Sequence, residues 1–148
     1  MTESLEDRII RHEGFRSTVY KDSLGFPTVG IGHCLTKDQC DNYTNGISYD
    51  DAVKLLESDI ATVKQNCAKE FPWILGLDDC RQSIIYEMAF QLGVGGVTKF
   101  HNMIAAIRSQ DWPTAAKEML DSQWHTQTPN RVEELAELML NGYNYSTI

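Results

Sequence analysis

The chain has no unbroken apolar run longer than five residues, reached at positions 103–107, whereas a membrane-spanning helix needs about 20. It is also short of positive charge. Thirteen Lys and Arg stand against 21 Asp and Glu, which leaves −8 with His neutral. Phosphate backbones are held by clustered cations, so this balance argues against nucleic acid as a partner. It gives no pull toward anionic lipid either, and no stable membrane association is expected. An acidic protein can still bind a neutral polymer through local hydrogen bonds, which leaves sugar chains open. Residues 1–7 are acidic where a secretory leader would be basic and then apolar, so the chain is expected to be made and first held in a cytoplasm.

Cysteines are few and unpaired in spacing. Cys34, Cys40, Cys67 and Cys80 lack the close pairs of a structural zinc site, so no metal is expected. In a reducing compartment they read as free thiols, mostly buried. A Cys34–Cys40 bridge is conceivable only after transfer to an oxidising space. Common catalytic signatures are missing as well. There is no Gly-x-Ser-x-Gly elbow and no phosphate-binding Gly-x-x-x-x-Gly-Lys. Gly30-Ile31-Gly32 fails the dinucleotide pattern at its third glycine. His12-Glu13 opens like a zinc-protease motif, but Arg16 stands where the second His belongs. Asn42-Tyr43-Thr44 and Asn144-Tyr145-Ser146 match the glycosylation acceptor, and with no leader expected both are expected to be chance matches.

What is present fits one domain of 148 residues with 42% apolar content, long enough to bury a core without covalent staples. Leu5, Ile9 and Ile10 have helical spacing, Ser4 with Asp7 makes an N-terminal cap, and Gly14 is a stop. Thr18, Val19, Tyr20, Thr28, Val29 and Ile31 around Asp22-Ser23-Leu24-Gly25 then predict an antiparallel hairpin. Ser48 with Asp51 opens a second helix, with an apolar stripe of Ala52, Leu55, Leu56, Ile60, Val63 and Cys67 that ends before Pro72. A strongly apolar helix starts at Asp78 or Asp79 and is stopped by Gly93-Val94-Gly95-Gly96. Three further helices are predicted at 100–108, 113–120 and 129–140, two of them with Pro in the first turn. The expected class is α+β: a β-rich lobe over about 14–48, a connecting helix over about 48–68, and a helical lobe over about 69–148 joined by 1–13. A seam between lobes is a natural cleft.

The chemistry concentrates near the N-terminus. Glu13 falls at the end of the first helix, where the dipole disfavours a negative charge and so favours the protonated form a proton donor needs. Asp22 follows in the hairpin turn and Thr28 in the return strand. Two carboxyls so placed can flank a glycosidic bond, one protonating the leaving oxygen and the other activating water. Read alone, Asp22 is equally a turn residue and Thr28 a plain strand residue.

His12-Glu13-Gly14-Phe15, Tyr20-Lys21-Asp22-Ser23-Leu24-Gly25 and Thr28-Val29-Gly30-Ile31-Gly32-His33 resemble the bacteriophage-type lysozymes, glycoside hydrolase family 24. A second block, Phe90-Gln91-Leu92-Gly93, Phe100 and Gln127-Thr128-Pro129-Asn130-Arg131, resembles the same family in the same order. The resemblance implies a lysozyme-like fold and an inverting endolysin muramidase acting on peptidoglycan glycan strands, monomeric and without cofactor or metal. It implies Glu13 as general acid, Asp22 as the carboxylate that activates water, and Thr28 as a second holder of that water. Phe90, Gln91, Trp124, Gln127, Thr128 and Arg131 match substrate-binding positions, with Arg131 matching an arginine that pairs with the catalytic glutamate. His33 matches a histidine that pairs with an aspartate on the long helix, here Asp59. Without its own leader, such an enzyme would wait for a holin before reaching the wall. Gln123 replaces an arginine of the well-known member and Cys34 a leucine, while His12 and Glu134 stand where it has an acid and a base, so that pair is absent or reversed in sign. The alternatives are a lytic transglycosylase, which needs one acid and no water, and a non-catalytic wall-binding or virion module.

Overall fold

The computed structural model describes residues 2–143; the match at Asn144-Tyr145-Ser146 lies outside the described residues. Two compact units are present, one of Glu3–Thr62 and one made mainly of the chain from Val63 onward.

In the first unit, α1 spans Leu5–Glu13. The Ser4 Oγ accepts the Asp7 N–H at 3.0 Å, and Gly14 ends the helix with φ 69°, its N–H bonding the Ile10 carbonyl. The predicted hairpin is present, and a third strand joins it. The sheet runs β1 (Arg16–Lys21), β2 (Pro27–Gly30), β3 (His33–Cys34), all antiparallel neighbours in that order. β3 went unpredicted because a strand of two residues has no periodicity to read. Tyr20 pairs with Thr28, and Thr28 with Cys34, so one row crosses all three strands. A 3₁₀ turn at Asp38–Tyr43 leads to Gly46, where the chain crosses so close to β1 that a Cβ would sit 2.7 Å from the Ser17 carbonyl. That carbonyl accepts the Ile47 N–H at 2.8 Å, which partners part of the free edge of β1.

Helix α2 spans Tyr49–Glu70 and carries the chain from one unit into the other. Ser48 caps it through the Asp51 N–H. Ala52, Leu56 and Cys67 of the predicted stripe are buried. With Ile9, Val29, Ile31 and Leu35, the first two of these make the core of the first unit. The sequence grouping placed residues 1–13 with the helical lobe; in the structure, α1 belongs to the unit of the sheet.

The second unit is helical: α3 (Asp79–Thr98), α4 (His101–Arg108), α5 (Trp112–Leu120), α6 (Gln123–Gln127) and α7 (Pro129–Asn141). The Asp78 carboxylate caps α3 by accepting the Arg81 N–H at 2.9 Å. The glycine run expected to stop this helix only kinks it. Gly93 alone leaves helical geometry, at φ 76° and ψ 156°, and the helix resumes through Gly95 and Gly96. α5 packs against α4 and α7, and α3 against α7, around Ile84, Met88, Ile107, Met119, Leu135 and Met139. No helix among the described residues is long and apolar enough to cross a membrane.

Candidate active site

Glu13 is the last residue of α1 and is half-buried. Asp22 follows β1 directly. Its backbone N–H bonds the Phe26 carbonyl, its carbonyl accepts the Gly25 N–H, and its Oδ1 accepts the Leu24 N–H at 2.9 Å and the Phe26 N–H at 2.8 Å. The aspartate therefore makes the turn and is itself immobilised by it. Both side-chain bonds use Oδ1, which leaves Oδ2 for another partner. Thr28 is 1% exposed, and its hydroxyl donates to the Phe26 carbonyl at 2.9 Å, so its oxygen keeps lone pairs for a second partner.

Two side chains of the sheet, Tyr20 and Cys34, feel the charge of both Glu13 and Asp22. The Tyr20 phenol is pushed up first by burial and then by the charge of Glu13, with a further contribution from Asp22 and with Arg16 opposing. The Arg16 guanidinium lies 4.6 Å from the centre of the Tyr20 ring. Burial also pushes up the Cys34 thiol, with Asp22, Glu13 and Asp59 adding to the effect, while a hydrogen bond with the Thr28 side chain opposes it. Both carboxylates thus act on the row formed by Tyr20, Thr28 and Cys34. Beside that row, His33 Nδ1 lies 2.7 Å from Asp59 Oδ2 and ties β3 to α2. This is the pair expected from the sequence, and it is charge-assisted when His33 is protonated.

The other predicted residues lie in the helical unit, where three of them form one chain of bonds. The Trp124 Nε1 donates to Gln91 Oε1 at 2.8 Å, and Gln91 Nε2 donates to the Thr128 hydroxyl at 3.3 Å. Trp124 is 3% exposed and meets Phe100 edge-on, with ring centres 5.9 Å apart. An indole packed in this way has no open face for a sugar ring; it is a core residue that orients the Gln91 amide. Phe90 is half-buried on α3, and Gln127 is exposed at the end of α6.

Arg131 is buried, and its Nε donates to the Glu87 Oε2 at 2.8 Å. Glu87 is 0% exposed and was missed from the sequence. The signal was there: a lone acid in the otherwise apolar Ile84-Ile85-Tyr86-Glu87-Met88-Ala89 stretch needs a buried cation. Of the four cysteines only Cys67 and Cys80 are buried, and Cys34 is exposed, against the expectation that most would be inside. Among the described residues there is no cluster of three or more metal-ligating side chains.

A carboxylate ending a helix, another in the turn of a small sheet and a buried hydroxyl on that sheet, followed in the chain by a helical unit, are the plan of a lysozyme-type glycoside hydrolase. The phage lysozyme family model matches residues 10–138, and the chain belongs to that family. Peptidoglycan is the substrate class that this membership carries. The chain is 31% identical to probable T4-type lysozyme 2 of Dictyostelium discoideum, with 96% of each protein covered. It is 32% identical to the pre-baseplate central spike protein Gp5 of Enterobacteria phage T4, covering 94% of this chain but 28% of that protein. It is 27% identical to the peptidoglycan hydrolase gp36 of Pseudomonas phage phiKMV, covering 88% of this chain and 14% of that one.

Proposed function

We propose that the protein is a muramidase that hydrolyses the β-1,4 bond between N-acetylmuramic acid and N-acetylglucosamine with inversion. The observation that carries this reading is a turn-locked Asp22, with Oδ2 available, next to the sheet that holds the buried Thr28 oxygen, in a unit where Tyr20 and Cys34, which flank Thr28, feel the charge of both Glu13 and Asp22. Glu13 protonates the leaving glycosidic oxygen. A water donates one hydrogen to Asp22 Oδ2 and the other to Thr28 Oγ1, which directs its lone pair at the anomeric carbon. Asp22 takes the proton as the new C–O bond forms. Gln91, oriented by Trp124 and Thr128, is suited to a hydroxyl or acetamido group, and the exposed Gln127 amide to the same chemistry.

In a phage, this activity would serve lysis of the host at the end of infection. The enzyme would act as a monomer, held in the host cytoplasm until a holin opens the membrane. A second reading, that the domain works within a phage particle, is favoured by the similarity to a spike protein. Detection of the chain in purified virions separates the two.

The test is mass spectrometry of fragments released from purified Gram-negative peptidoglycan. Fragments ending in reducing N-acetylmuramic acid are expected, with release reduced at least about 100-fold by Glu13→Gln or Asp22→Asn. Anhydro ends would instead identify a transglycosylase that does not use water. Tight wall binding without any release would identify a binding module.

A further inference from the structure

We propose that Phe26 is a sugar-binding residue, its open ring stacking on the apolar face of a pyranose in the glycan. The inference deepens the muramidase reading and rests on the roles of Asp22 and Thr28 in it. Phe26 is 57% exposed and is the most exposed phenylalanine of the chain. Phe15, Phe71 and Phe100 each meet another ring, that of Tyr49, Trp73 and Trp124 in turn, and Phe90 is half-buried. Among the described residues no other ring and no cation packs on Phe26.

A lone exposed apolar side chain is ordinary on a protein surface; what distinguishes Phe26 is its backbone. Its N–H donates to Asp22 Oδ1 at 2.8 Å, and its carbonyl accepts the Thr28 hydroxyl at 2.9 Å. The same carbonyl accepts the Asp22 N–H at 2.9 Å. The bonding N and O atoms lie within about 2.5 Å of the Phe26 Cα. The ring therefore springs from the short piece of backbone that fixes both groups proposed to hold the water. Pro27 follows and restricts Phe26 to extended backbone, so the ring is offered from a fixed point. A glycan strand that brings an anomeric carbon to Asp22 and Thr28 comes within reach of it. A pyranose with equatorial substituents lines its faces with axial C–H groups, which suit the electron-rich face of a phenyl ring. Trp124, the aromatic residue expected from the sequence to meet sugar, is packed on Phe100; Phe26 has the open ring. Stacking holds the bound sugar before and during the reaction alike, so its loss falls on KM and not on kcat.

The experiment measures kcat and KM on soluble glycan oligosaccharides prepared from peptidoglycan, and by calorimetry the Kd of the same oligosaccharides for Glu13→Gln. Phe26→Ala is expected to raise KM about 3- to 10-fold, the scale of one aromatic stacking contact, and to hold kcat within about 2-fold, because the backbone bonds to Asp22 and Thr28 survive. Added to Glu13→Gln, it weakens Kd by the same factor. Phe26→Tyr and Phe26→Trp keep a flat ring and hold KM within about 2-fold, the scatter of such contacts. Phe26→Leu, apolar but not flat, behaves like Phe26→Ala. An unchanged Kd on adding Phe26→Ala overturns the inference whatever happens to kcat, because the side chain then serves the turn alone. Wild-type KM in Phe26→Leu overturns it too, by reducing the contact to apolar bulk. If the wild type binds the glycan but does not cleave it, the muramidase reading falls while Kd still decides whether Phe26 holds sugar. No binding at all overturns both.

Discussion

Each of the three residues proposed for the reaction has a local structural task as well as a chemical one. Glu13 ends a helix, Asp22 closes a turn and Thr28 bonds the turn's own carbonyl. The spacing of Glu13, Asp22 and Thr28 was legible because those tasks are set by residues close in sequence. Cys34 was legible only as a departure from the family, since its partner is fixed by strand register. Buried cysteines behave differently. Burial pushes the Cys67 thiol from the usual 9.0 up to about 11. Between those values the unfolded chain has lost the proton and the folded protein still holds it. Cys67 therefore contributes its full stability below about pH 9 and loses it as pH rises toward 11. Thermal midpoints recorded from pH 8 to 11 are expected to fall more steeply for the wild type than for Cys67→Ala. The variant keeps part of the slope, because the Tyr86 phenol is also pushed up by burial. Equal slopes would place the effect elsewhere.

At the scale of elements, the caps at Ser4 and Ser48 are where the sequence put them, and of Asp78 and Asp79 the structure uses Asp78, because a cap is a contact across three residues. The glycines were harder to read. By sequence Gly93 reads as part of a helix stop, whereas one residue at positive φ bends α3 and leaves its continuation intact. Gly46 drew no expectation at all, although it is where the loop crosses β1. Alanine at the two sites separates two physical costs. At Gly93 nothing lies within 4 Å of the added Cβ, so only the strain at φ 76° remains, about 1 kcal/mol. At Gly46 the same strain is joined by a backbone carbonyl at 2.7 Å, and the cost rises to at least about 2 kcal/mol. Urea unfolding checks the order: Gly46→Ala is expected to be the less stable variant, and the reverse order would mean that the loop yields without effect on the sheet.

For the whole molecule, net charge is the property that sets it apart from a basic wall enzyme. At −8 it meets a polymer whose peptides carry carboxylates of their own. Screening weakens like-charge repulsion, so turnover on whole peptidoglycan is expected to hold or rise as salt goes from low to physiological strength. A steep fall over that range would show that local cations near the glycan outweigh the net charge.

Composition, caps and periodicity by themselves determined most of the helices, the hairpin and the absence of a long apolar helix, because each depends on residues close in the chain, and the motif resemblance singled out the three residues proposed for the reaction. The tertiary structure decided what those properties cannot reach. It made Trp124 a buried support for Gln91 instead of an open plate for sugar. It gave buried Glu87 to Arg131 across 44 residues of sequence, and it set Cys34 beside Thr28. These pairings join elements whose faces meet only when the core closes, and a buried polar group must then take the partner that packing brings to it.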